Sequence, residues 1–112
     1  MTHPQTSFRY TTFTEGSFCA KKRNVVWEHT LLYQLEVLKK TGRYDAFKLK
    51  WHPSYDNEPD HWPVPNHLFW DSDVAKWIEG ACYFLHSHNS HEVESAIHEL
   101  VEMIRGAQGE DG

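Results

Sequence analysis

Two stretches of the chain carry side chains at a helical period. Between Asn24 and Thr41, the positions Trp27, Leu31, Gln34, Leu35 and Leu38 advance by four, three, one and three, which keeps them on one helical face. Asn24 is a residue type that suits the N-cap. Gly42, just after the basic turn Lys39–Lys40, stands where helices stop. A second stripe runs from about Ser90 to Arg105: Val93, Ile97, Leu100, Val101 and Ile104, with Glu92, Glu94, Glu99 and Glu102 over the rest of the cylinder. Asn89 or Ser90 suits its start and Gly106 its end.

The stretch between them has a different pattern. Val74, Trp77, Ile78, Ala81 and Leu85 form a stripe, but Cys82, Tyr83 and Phe84 carry the apolar character around most of the circumference. A helix of that kind is normally enclosed on both sides, and only Asp73, Lys76 and Glu79 make a polar strip. The pattern therefore predicts an all-α fold of about three helices, roughly 24–41, 73–86 and 90–105, with the middle one inside. The connection from about Lys48 to Trp70 holds four of the five prolines together with Trp51, Tyr55, Trp62, Phe69 and Trp70. So many aromatic residues predict an ordered loop pressed onto a surface. Residues 1–17 are expected to be extended or poorly ordered.

Composition narrows the function classes. A length of 112 residues, 39% of them hydrophobic and 24% charged, suits one domain with a modest core, residues 1–112. No apolar run approaches the roughly 20 residues of a bilayer span. The start, MTHPQTSFRYTTF, shows no secretory pattern, so the expectation is a cytoplasmic protein without membrane partners. A formal charge of −5 and the lack of a basic stripe argue against nucleic acid. Cys19 and Cys82 stand far apart without a CxxC pair, which argues against a disulfide framework and a cysteine zinc site.

The chemical candidates lie in FWDSDVAKWIEGACYFL, residues 69–85. Glycosidases use two carboxyl groups about 5–9.5 Å apart. Asp73 and Glu79 are six residues apart and so point roughly 120° away from each other on a helix. Asp73, Lys76 and Glu79, spaced by three, suit consecutive salt bridges instead. Asp71 or Ser72 can cap the helix, with Asp73 in its first turn; capping while facing a substrate cleft is compatible with both roles. In HSHNSH, His86, His88 and His91 straddle a helix end and a helix start, so no helical face presents them together and no metal site is expected. Aromatic rings beside carboxylates suit sugar rings, or else simply build an aromatic core. Cys82 is expected to pack as a small apolar residue. Neither cysteine has the surroundings of a nucleophile.

The segments TGRYDAFKLKWHP (41–53), LFWDSDVAKWIEGACYFL (68–85) and AQGEDG (107–112) occur in order. Together they resemble the N-terminal part of glycoside hydrolase family 127, the β-L-arabinofuranosidase-like proteins, from about Phe18 onward. The resemblance implies a partial (α/α)6 toroid of alternating inner and outer helices. It also implies an activity that removes terminal β-L-arabinofuranose, with a cysteine nucleophile near zinc and glutamates as acid/base and ligand. Those catalytic and zinc-binding residues have no counterpart in these segments, so no catalytic residue and no cofactor are assigned here; zinc is implied only for the complete family domain. The resulting expectation is an N-terminal glycosidase fragment, inactive alone, with Trp70, Asp71, Asp73 and Lys76 as carbohydrate-contacting residues. The rival readings are a noncatalytic helical module that binds carbohydrate or protein, and a helical protein that self-associates through exposed apolar faces.

Overall fold

The computed structural model describes residues 4–48 and 69–112, with only the backbone described at 4–6 and 70. The expected Pro- and aromatic-rich loop lies, over 49–68, outside the described residues. Among the described residues every regular element is helical.

The first rod is longer than the periodicity predicts. Helix α1 spans Phe18–Val25 and opens on Ser17, whose Oγ accepts the amide hydrogen of Ala20 at 3.2 Å. A π-helical turn, Val26–Thr30, continues it into α2, Leu31–Lys40. Asn24 is therefore inside a helix and caps nothing. The periodic signal missed this start because α1 buries only Ala20, so most of its circumference faces solvent.

The stop at Gly42 is as expected: the residue adopts φ +78°, open to glycine at little cost. The amide hydrogens of Gly42 and Tyr44 return to the carbonyls of Lys39 and Leu38, at 3.3 and 3.0 Å. A short 3-10 helix, Ala46–Lys48, follows.

Helix α3, Trp70–Leu85, and helix α4, His91–Ala107, complete the described architecture. Phe69 occupies the N-cap position of α3 without a side-chain bond. Asp71 and Ser72, expected as caps, lie in the first turn instead. There Asp71 Oδ1 accepts the Ser72 amide hydrogen at 2.7 Å, and Ser72 Oγ donates to the Phe69 carbonyl at 3.0 Å. Ser90 does cap α4, its Oγ accepting from the Val93 amide at 3.3 Å. Gly106 does not end α4, which runs on to Ala107.

One core joins the three rods. Leu31, Leu35 and Leu38 of α2 meet Val74, Trp77 and Ala81 of α3 and Val93, Ala96 and Leu100 of α4, with Tyr44 wedged among them. Each large apolar side chain buried this way contributes about 1.5–3 kcal/mol. Ala81 is fully buried, so α3 comes close to its neighbours. Helix α3 packs against both α2 and α4, as an inner helix should. Among the described residues it is covered on one side: Ile78, Tyr83, Phe84 and Leu85 are half-buried and Cys82 is exposed. In α4 the buried stripe is carried by Ala96 rather than Val101, which is exposed. At the N-terminus, a 3-10 helix, Pro4–Tyr10, stands within the stretch expected to be extended or poorly ordered.

Candidate functional site

The segment TGRYDAF ties the rods together residue by residue. Thr41 Oγ1 donates back to the Val37 carbonyl at 2.8 Å and tightens the end of α2. Arg43 reaches α3, its Nε donating to Asp73 Oδ2 at 3.3 Å. Tyr44 reaches α4, its hydroxyl donating to Glu99 Oε2 at 2.6 Å. Burial first, and then the Glu99 carboxylate, push the Tyr44 phenol well above its usual range. The Lys39 ammonium sits 4.9 Å from the centre of the Tyr44 ring.

These ties open a cleft of about 470 Å³ between the end of α2 and the start of α3. Val37, Leu38 and Trp77 supply its apolar wall, and Gln34, Arg43, Asp73 and Lys76 its polar groups. The indole N–H of Trp77 is already engaged, donating to the Leu31 carbonyl at 3.0 Å in the core. Asp73 lies in the first turn of α3, where the helix dipole favours a carboxylate. Lys76 Nζ stands 3.9 Å from its Oδ1.

Of the four residues expected to contact carbohydrate, Asp73 and Lys76 share this cleft. Asp71 lies in the same turn, exposed, and is not among the lining residues. The Trp70 side chain lies outside the described residues. Sequence reading missed Arg43 and Gln34. Gln34 appeared only as a member of the α2 stripe, and Arg43 shows itself only through its pairing with Asp73, 30 residues away.

The row of salt bridges expected from Asp73, Lys76 and Glu79 is broken after its first step. Glu79 Oε1 accepts from the Tyr83 hydroxyl at 2.9 Å, one turn further along α3. The histidines also part company. His88 contacts Ser87 and lies against Trp27, with ring centres 4.6 Å apart, while His86 meets Phe8 edge-on at 5.3 Å. No group of three or more His, Cys, Asp or Glu converges among the described residues. The donor set that zinc requires is thus not met there, and no step is derived through a metal. Cys19 and Cys82 are both exposed and unpaired with each other. Cys82 does not pack away as expected, and its partial burial raises the thiol, which works against a nucleophilic thiolate.

Polar groups of both signs over an apolar wall suit a neutral, hydroxyl-rich ligand. The carboxylate accepts hydroxyl hydrogens, and the guanidinium, ammonium and amide donate to hydroxyl oxygens. Among the known protein families, residues 12–112 match the one described as "Beta-L-arabinofuranosidase, GH127 catalytic domain". Curated proteins give no match, and neither do solved structures.

Proposed function

Since the chain belongs to glycoside hydrolase family 127 by a match over residues 12–112, we propose that it builds a wall of an arabinofuranoside-binding cleft and does not itself cleave the glycosidic bond. The observation that carries this reading is the cleft in which Arg43, Asp73, Lys76 and Gln34 converge beside Trp77. Arg43 holds the Asp73 carboxylate through Oδ2, and Lys76 approaches Oδ1. The three groups act as a set whose hydrogen bonds fix the orientation of sugar hydroxyls. Hydrolysis by a pair of carboxyl groups needs one on either side of the scissile bond, and hydrolysis by a cysteine needs a thiolate, which the raised Cys82 thiol disfavours. The nearby carboxylates serve other bonds: Glu79 accepts from Tyr83, and Glu99 from Tyr44. Asp71, exposed in the same turn as Asp73, is assigned to the rim of the same cleft.

Two measurements on the full chain test the reading. In isothermal titration, methyl β-L-arabinofuranoside is expected to bind weakly and saturably, and Lys76→Ala to weaken it about tenfold. In a chromogenic assay, the chain is expected to give no turnover of an aryl β-L-arabinofuranoside. Turnover abolished by Asp73→Asn would overturn the division between wall and chemistry. Lack of saturable binding would overturn the cleft assignment.

A further inference from the structure

A second groove lies at the other end of α3. It is formed where the N-terminal 3-10 helix and the segment after it cross the C-terminal turns of α3, and it holds about 350 Å³. Phe8 meets Tyr83 edge to face at 4.6 Å, and Phe13 and Phe84 complete an aromatic lining. Among the described residues, the charged groups of this lining are all cationic or able to become so. Arg9 lies 5.9 Å from the Phe8 ring centre and Arg23 lies 5.3 Å from that of Phe13, and His86 is the third. Neither arginine has a carboxylate partner among the described residues. Among the described residues no Asp or Glu lines the groove, although the whole chain carries −5. The neighbouring carboxylate, Glu79, is held by the Tyr83 hydroxyl.

We propose that this groove binds a small aromatic carboxylate, with the ring between the phenyl walls and the carboxylate on the guanidinium of Arg23 or Arg9. The chemistry of the lining sets both halves of that ligand. Aromatic walls select a flat apolar ring through edge and face contacts. A guanidinium lying along a ring keeps its N–H groups at its edge, in the fork that matches a carboxylate in two parallel hydrogen bonds. With no carboxylate among the described lining residues, an anion meets no like charge from them. The site is separate from the sugar cleft: Asp73 and Tyr83 are ten residues apart along α3, about 15 Å at the helical rise. It therefore stands or falls independently of the arabinofuranoside reading.

The test uses benzoate as the probe on the full chain at low salt, by isothermal titration and saturation-transfer NMR. Saturable one-to-one binding is expected, with benzyl alcohol (ring without charge) and acetate (charge without ring) each binding about tenfold or more weaker. Arg23→Gln is expected to weaken benzoate about tenfold with an unchanged circular dichroism spectrum; should that variant lose helicity, Arg9→Gln is read in its place. Failure of benzoate to saturate would overturn the proposal. So would equal binding of benzyl alcohol, or full affinity for benzoate in both folded single variants, Arg23→Gln and Arg9→Gln.

Discussion

Tyr44 is almost wholly buried, yet its hydroxyl donates to the exposed Glu99 carboxylate at 2.6 Å. Tyr44→Phe keeps the ring and removes that bond, at an expected cost of about 1 kcal/mol in urea unfolding. The pH dependence follows from the raised phenol. A raised pKa means that the fold favours the neutral hydroxyl. Its contribution is fully present below the unfolded value of about 10 and is lost as the pH climbs above it. Wild-type stability is thus expected to fall more steeply than that of Tyr44→Phe from about pH 10 upward; parallel profiles would contradict the assignment. Arg43 and Asp73 make the companion tie, and both are partly shielded from water. A double-mutant cycle with Arg43→Ala and Asp73→Ala is expected to give a coupling of about 0.5–1 kcal/mol, reduced by salt. Asp73 was legible in the sequence because its place in the first turn of α3 follows from the local pattern. Its partner was not, nor was the partner of Tyr44. Bonds spanning 30 and 55 residues depend on how the rods dock, which no local periodicity encodes.

At the scale of elements, the period of the stripe separates what could be read from what could not. Leu31, Leu35 and Leu38 face the core because α2 is regular, and so do Val93 and Leu100 of α4. The π turn Val26–Thr30 adds a residue to the ladder, seen where the Leu31 amide bonds the Val26 carbonyl five residues back. Such a turn rotates α1 against α2, so the stripe cannot be carried backward to the true start at Ser17. The caps offer a direct comparison. Ser90 opens a helix that buries Val93, Ala96 and Leu100, whereas Ser17 opens one that buries only Ala20. Ser90→Ala is expected to lower global stability by about 1 kcal/mol. Ser17→Ala should leave the global midpoint nearly unchanged and speed amide exchange only in α1, because its turns open locally. Equal effects of the two changes on the urea midpoint would contradict this ranking. The middle helix shows a related effect. Its apolar circumference predicts enclosure, but α2 and α4 cover one stripe, and the face bearing Cys82 and Tyr83 stays at the surface of the described residues.

For the whole molecule, membership of an arabinofuranosidase domain family and the open faces of the rods bear on the same question. The alternating helices of a toroid bury both sides of an inner helix, and α3 has the sequence for that role while the described residues cover one stripe of it. Apolar rings also stand in solvent elsewhere, Tyr10 at 87% and Phe18 at 72% exposure. Exposed apolar surface promotes association where net charge does not oppose it. Here the opposing charge is −5 with the nine histidines neutral. Each histidine that gains a proton on acidification removes one unit of that charge, so protonation of about half of them brings the total close to zero. Light scattering is therefore expected to rise as the protein is taken from about pH 8 to about pH 5.5, the interval in which histidine titrates. Added salt should not suppress the rise, because the contact is apolar and the repulsion that salt would screen is already gone. A flat series across that interval would show that the exposed rings do not drive association. A rise abolished by salt would assign it to attraction between unlike charges instead.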